Sequence, residues 1–189
     1  AGRRDDVLLA GGDDCAMVSV PANQQLLITT DTLISGVHFP ENTSAEDIAY
    51  KSLMVNLSDL AAMGATPAWV TLAISLPDIS EPWLSAFSHQ FSSVLREFNI
   101  NLIGGDTTRG ALSITVQAMG FAVKETILRR DQARVGDKIF VTGDLGDAAI
   151  GLQAIVSENH DVKLAPCVNR LNRPIARVKF AEELSHYSK

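Results

Sequence analysis

The chain has 189 residues, of which 46% are apolar and 20% are charged, and its formal net charge is -6. This length is sufficient for a buried core, whereas the acidic balance and the lack of a basic stripe argue against a nucleic-acid partner. The two cysteines are far apart in sequence and form no C-x-x-C pair, which favours a reducing compartment. No apolar run is long enough to span a membrane. We therefore expect a soluble cytoplasmic protein without a membrane partner.

The first feature along the chain is a glycine-rich acidic turn. Gly11-Gly12 permits tight backbone geometry, and Asp13-Asp14 follows directly. Because neighbouring side chains point in opposite directions, one aspartate can face a metal ion while the other bonds to the backbone. A solvated turn is the alternative interpretation of this segment taken alone.

A buried strand is predicted at residues 26–30, with Asp31 at its end. A carboxylate beside a core is costly unless a cation neutralises it, and a hard divalent cation suits a carboxylate flanked by hydroxyl groups. A lone aspartate at this place could instead cap a turn. The chain then turns through Ser35-Gly36 and presents His38.

A helix is predicted after Ser44, which forms a capping box with Asp47. Its apolar pattern continues to Leu60, and Gly64 supplies the left-handed stop. Asp59 lies close to the apolar stripe, which favours an inward side chain.

The next segments alternate in type. We predict a strand at residues 68–76, a helix at 81–98 capped by Ser80, a short strand at 101–103 before the turn Gly104-Gly105-Asp106, and a strand at 112–121. This order indicates an α+β fold: a mixed sheet with helices on one face, a ferredoxin-like variant. The uncovered apolar face then predicts a sheet-to-sheet dimer.

The remaining residues look like the start of a second α/β domain. A strand is predicted at residues 138–142, a helix from Gly143 to about Ser157, and further helical stretches broken by Pro166 and Pro174. We therefore divide the chain into residues 1–124, for metal binding, ATP binding and dimerisation, and residues 125–189.

Four separate acidic points, each beside Gly, Ser or Thr, suggest a multi-metal phosphate site, because Mg²⁺ prefers oxygen ligands and bridges to phosphates. These points are Asp13-Asp14, Asp31, Asp59 and Asp106. The chain has no Walker P-loop, kinase catalytic loop or G-x-G-x-x-G segment, which disfavours the common nucleotide folds.

Four motifs resemble the thiamine-monophosphate kinase family, in a superfamily with aminoimidazole ribonucleotide synthetase and selenophosphate synthetase. They are Gly12-Asp13-Asp14-Cys15-Ala16, Thr29-Thr30-Asp31-Thr32-Leu33 with Gly36-Val37-His38-Phe39, the run from Asn56 to Ala65, and Gly104-Gly105-Asp106-Thr107-Thr108. The first and last are shared by the superfamily, whereas the second is typical of the thiamine branch.

The resemblance implies ATP-dependent phosphorylation of thiamine monophosphate to thiamine diphosphate by direct in-line transfer, without a catalytic side-chain base. It implies that His38 binds thiamine monophosphate, that Gly105, Asp106 and Arg130 bind ATP, and that Asp13 is a weaker metal ligand. The ligands implied for several Mg²⁺ ions are Asp14, Thr29, Thr30, Asp31, Asp59 and Asp106.

The chain departs from the family pattern in two places. Ala10-Gly11-Gly12 stands where the family usually has Gly-Ile-Gly, and the Asp-x-Ser-Asp-Gly segment of the family's second domain is missing. We therefore expect a fragment that forms a homodimer without turning over. Two other hypotheses are another ATP-using synthetase of the superfamily and a metal-binding dimerisation module without activity.

Overall fold

The computed structural model describes residues 4–187, with a mixed four-stranded sheet at the centre. A short antiparallel ribbon, β1 (Val7–Leu9) and β2 (Met17–Val18), precedes the sheet strands β3 (Gln24–Ile34), β4 (Thr66–Leu76), β5 (Asn101–Arg109) and β6 (Ser113–Val123). The strand order is β3-β6-β4-β5; β6 is antiparallel to both neighbours, and β4 is parallel to β5. The predicted α+β fold with a mixed sheet is confirmed.

Two helices, α1 (Ala45–Ala62) and α2 (Glu81–Glu97), pack against the sheet. The Ser44 hydroxyl accepts a hydrogen bond from the Asp47 N–H at 3.1 Å, and Ser80 caps α2 in the same way. Gly64 follows α1 with a φ of 69°, a conformation that favours glycine. The helix starts and the stop after α1 lie where the sequence predicted them.

Alternating side chains of β3 separate the two faces of the sheet. Leu27 and Leu33 belong to the core under the helices, whereas Leu26, Ile28 and Ile34 on the opposite face are 41%, 56% and 39% exposed. The core under the helices also contains Leu53, Leu57, Val70, Phe87, Phe91, Ile114 and Val116. On the opposite face β1 and β2 cover only a second cluster, which includes Trp69, Met119 and Phe121.

Strand boundaries correct three of the predictions. Asp31 lies inside β3, not at its end, because β3 pairs with β6 through Ile34. Asp106 is likewise inside β5, which pairs with β4 as far as Arg109. Residues 138–142 form no strand: no described segment pairs with them, and Phe140 is 85% exposed.

Three further helices follow: α3 (Asp147–Val156), α4 (Ala165–Asn172) and α5 (Val178–Ser185). Pro166 lies in the first turn of α4 and so begins a helix instead of breaking one, because that turn needs no N–H donor. Val178 and Ala181 of α5 join the core under α1. None of the helices in residues 4–187 is both long and apolar enough to cross a membrane.

Candidate functional site

Asp31 is half-buried on the face of the sheet that α1 covers. Its main-chain N–H donates to Oδ1 of the fully buried Asn56 at 3.1 Å, and Asn56 Nδ2 donates to the Ser52 carbonyl at 2.9 Å. Burial raises the pKa of Asp31, the nearby Asp59 carboxylate raises it further, and His38 opposes the shift. The surroundings of Asp31 therefore compensate its negative charge only in part.

Asp59 lies near the carboxyl end of α1 and contacts β3 through a side-chain hydrogen bond. The Thr29 hydroxyl donates to Asp59 Oδ2 at 2.8 Å. The Asp59 side chain is directed towards β3, as predicted, but it is exposed and not buried. A carboxylate and a hydroxyl group from two separate elements are thus held together, with their remaining lone pairs open to solvent.

A cleft of about 620 Å³ gathers three of the predicted site residues, namely Thr29, Asp59 and Arg130. The remaining residues that line it are mostly apolar and include Leu27, Ile28, Leu60, Met63 and Leu128. A larger cavity of about 710 Å³ adjoins α3 and α4, but none of the predicted site residues lines it. We take the smaller cleft as the candidate site, because it brings together predicted site residues from β3, from α1 and from the segment after β6.

Arg130 begins a short 3₁₀ turn, Arg130–Gln132. The residues just before this turn form a hydrogen bond with the end of α1. The Leu128 N–H donates to the Met63 carbonyl at 3.2 Å, which fixes the approach of this segment to the cleft. Arg129 and Asp131 form an exposed ion pair of 2.6 Å. Within residues 4–187 no carboxylate is paired with Arg130, so its guanidinium group is free for an anion.

His38 is exposed in the loop that follows β3, and its orientation is fixed by the backbone. Its Nδ1 accepts a hydrogen bond from the Ile34 N–H at 3.0 Å, so the neutral ring carries its proton on Nε2. Its carbonyl oxygen accepts a hydrogen bond from Lys51 Nζ at 2.8 Å. The ring therefore presents an N–H donor.

Thr30 and Asp106 lie on the opposite face of the sheet from Asp31. Asp106 of β5 pairs with Ala73 of β4, and Ala73 pairs with Thr115 of β6. Thr115 in turn pairs with Thr32 of β3, whose side chain lies on the uncovered face, so Asp106 lies on that face too. The Thr30 hydroxyl accepts a hydrogen bond from Gln117 at 3.3 Å. The chain therefore does not bring all the predicted metal ligands to one face.

Gly105 precedes Asp106 with a φ of 155°, and a Cβ at this position would lie 1.9 Å from the Leu72 carbonyl oxygen. Position 105 therefore accommodates only glycine.

Asp13 and Asp14 lie in the loop between β1 and β2, and both are exposed. Asp13 Oδ1 accepts a hydrogen bond from the Asp14 N–H at 2.9 Å. One aspartate thus bonds to the backbone, as predicted for this turn.

Across residues 4–187 no three acidic, histidine or cysteine side chains form a ready metal-binding cluster. The structure joins Thr29, Asp59 and Arg130 in one cleft and places His38 close enough to Asp31 to oppose the rise of the Asp31 pKa that burial causes. The exposed Asp14, Thr30 and Asp106 lie outside that cleft, so the full ligand set remains a prediction.

Sequence reasoning missed two contacts in this region, those of Asn56 and Lys51. Asn56 was recognisable as a polar residue on the apolar part of a predicted helix, which signals a buried hydrogen-bonding role. Lys51 gave no such signal, because its partner is a main-chain carbonyl in a loop thirteen positions earlier.

Residues 12–122 match the model of a protein family, AIR synthase related protein, N-terminal domain. The chain belongs to this family. The AIR synthase related domain accounts for the whole central sheet with α1 and α2, apart from the last residue of β6. This membership confirms the superfamily that the Gly-Asp and Gly-Gly-Asp motifs indicated.

Within the AIR synthase related family, the chain is similar to thiamine-monophosphate kinases, which confirms the branch that the motifs indicated. It is 48% identical over 185 residues to the thiamine-monophosphate kinase of Haemophilus influenzae, covering 95% of this chain and 56% of that protein. The chain thus spans about half the length of its curated relatives.

Solved structures agree with the sequence similarity. The crystal structure of thiamine-monophosphate kinase from Stenotrophomonas maltophilia K279a matches with a TM-score of 0.90 and 49% identity, over 97% of this chain and 60% of that one. A structure described as AaThiL complexed with AMPPCP and TMP matches with a TM-score of 0.81 and 30% identity, over 93% of this chain and 57% of that one.

Proposed function

We propose that the gene product carrying this sequence transfers a phosphoryl group from ATP to thiamine monophosphate, forming thiamine diphosphate in the cytoplasm. The cleft that joins Thr29, Asp59 and Arg130 carries the proposal, because it combines oxygen ligands for a cation with a guanidinium group for phosphate. The AaThiL complex supports it, because that relative was solved with AMPPCP and TMP.

The donor groups fit Mg²⁺, which the proposed reaction requires. Burial and the neighbouring Asp59 carboxylate raise the pKa of Asp31, and within residues 4–187 no cationic side chain forms an ion pair with either carboxylate. We propose Thr29, Asp31 and Asp59 as one group of ligands, and the exposed Asp14, Thr30 and Asp106 as the others. Bound Mg²⁺ would supply positive charge against the phosphate oxygens.

The chain's own residues would bind and orient the two substrates. Arg130 would hold phosphate oxygens of ATP through its unpaired guanidinium group, with Gly105 and Asp106 beside the nucleotide. His38 would donate its Nε2 proton to thiamine monophosphate. Since in-line phosphoryl transfer depends on positioning and charge, no side-chain nucleophile is needed.

The uncovered face of the sheet is the proposed homodimer surface. Leu26, Ile28 and Ile34 lie along one strand there and are each more than a third exposed. Large aliphatic side chains exposed on one sheet face favour burial against another apolar surface, although Thr30 and Thr32 separate Ile28 from Ile34 on this face. A second copy of the same face would provide that surface.

Substrate-dependent release of ADP tests the proposed reaction. The complete gene product is incubated with MgATP and one acceptor at a time: thiamine monophosphate, thiamine, or selenide. We expect ADP release with thiamine monophosphate to exceed that with either other compound by about tenfold or more, since a site built for a phosphate group rejects acceptors that lack it. Release that does not depend on thiamine monophosphate would refute the proposal.

A further inference from the structure

Lys51 is a half-buried cation that the proposed reaction does not yet use. It lies on α1, and burial lowers the pKa of its ammonium group. Within residues 4–187 no carboxylate forms an ion pair with it. Its hydrogen bond of 2.8 Å to the His38 carbonyl is therefore its main polar interaction with the protein. Ordering a long lysine side chain costs conformational entropy, so we expect this hydrogen bond to have a specific role.

The loop that carries His38 is closed by several short hydrogen bonds. The N–H groups of Val37 and His38 both donate to the Ile34 carbonyl, at 3.1 and 2.9 Å, and the Gly36 N–H donates to the Phe39 carbonyl at 2.9 Å. Two of these bonds join the loop to the last residue of β3, and the Ser35 N–H donates to the Leu112 carbonyl at 3.1 Å. The buried Phe39 ring and Lys51 connect the loop to the core and to α1.

The ring and the main-chain carbonyl of His38 are therefore held by two different residues. The Ile34 N–H determines which ring nitrogen carries the proton, and Lys51 holds the carbonyl of the same residue. Loss of the Lys51 bond would remove the hydrogen bond between the His38 carbonyl and α1, while the bonds of His38 to Ile34 would remain, so the ring would shift without the loop opening. A displacement of about 1 Å in a positioning group is enough to weaken substrate alignment strongly.

We propose that Lys51 is a positioning residue for the acceptor substrate: its ammonium group anchors the His38 carbonyl to α1, so that the Nε2–H of the ring is aimed at thiamine monophosphate. This proposal rests on the proposed function for the identity of the substrate. It predicts that Lys51 affects the acceptor and not ATP, because Lys51 does not line the cleft that contains Arg130.

Three variants separate positioning from general stability. Lys51→Met retains the apolar stem without the donor, Lys51→Arg retains a cationic donor, and Lys179→Met removes an exposed lysine from α5 as the matched control. Long-range ¹H–¹⁵N NMR of the histidine rings is recorded on the 189-residue chain, and steady-state kinetics are recorded on the complete gene product.

In Lys51→Met we expect altered ring shifts for His38, and a KM for thiamine monophosphate raised about tenfold with kcat and the KM for ATP within about twofold of wild type. Lys51→Arg should recover part of the loss, and Lys179→Met should change neither measurement. Unchanged His38 shifts, or an equal loss of affinity for both substrates, would overturn the positioning role.

Two outcomes keep this inference separate from the proposed function. If the wild-type gene product releases no ADP in response to thiamine monophosphate, the proposed function fails, while the NMR comparison still decides whether Lys51 orients His38. If Lys51→Met does not fold, Lys51→Gln is measured in its place. Its neutral, shorter amide reaches the carbonyl less well, so the same shifts are expected in smaller amount.

Discussion

Replacing Asn56 with alanine should weaken both the fold and the candidate site. Asn56 is fully buried, accepts from the Asp31 N–H and donates to the Ser52 carbonyl. Each lost hydrogen bond is worth about 1 kcal/mol, and the stranded Asp31 N–H adds about 1 to 2 kcal/mol more. We therefore expect Asn56→Ala to reduce the free energy of unfolding by about 3–4 kcal/mol.

Urea denaturation followed by far-UV circular dichroism measures this change, with the slope of the transition checked for constancy. Ser92→Ala, at an exposed position of α2, is the control and should alter stability by less than about 0.5 kcal/mol. A loss below about 1 kcal/mol for Asn56→Ala would refute the reasoning, because it would mean that water or a backbone shift replaces both bonds.

Three further predictions concern charge and assembly. Asp59→Asn should weaken Mg²⁺-dependent nucleotide binding at least about tenfold, or about 1.4 kcal/mol, as measured by calorimetry on the complete gene product. Thr29→Val, which keeps the Asp59 carboxylate, should weaken this binding less. Hydrogen bonds from Arg4 lower the pKa of Asp6 below its usual value of 3.8, so its stabilisation is present at neutral pH and is lost as pH falls through the lowered value. The stability difference between wild type and Asp6→Asn should therefore disappear in strong acid, as followed by thermal melts across pH; a constant difference would count against the ion pair. Ile28→Asp should convert the proposed dimer to a monomer in light scattering, while a wild-type monomer would remove the sheet-face argument.

Local signals in the sequence predicted most elements because their causes are local. Ser44 and Ser80 cap helices through residues three positions away, and Gly64 takes the left-handed conformation that ends a helix. Runs of residues that favour buried strands likewise placed the central strands. These features need no knowledge of distant residues.

Apart from Pro166, whose error has a local cause, the errors and omissions depend on distant partners. Asp31 and Asp106 lie inside strands because β6 and β4 continue to pair beside them, and the register of that pairing alone decides which face each carboxylate occupies. Residues 138–142 have a strand composition, but a strand needs a neighbour, and no described segment provides one. The link between Lys51 and His38 also joins a helix to a loop and leaves no periodic signal.

The hydrogen bond from Asp31 to Asn56 also limits how these chains can aggregate. β3 and β5 are the two edges of the sheet, and an open edge recruits strands from other molecules. Asn56 occupies an N–H in the middle of the β3 edge, so continuous strand addition is interrupted there. Fibre growth requires two competent edges on every molecule, whereas joining through β5 alone stops at a pair. The buried Asn56 amide, which helps to shape the candidate site, thus also disfavours open-ended addition of strands to the β3 edge.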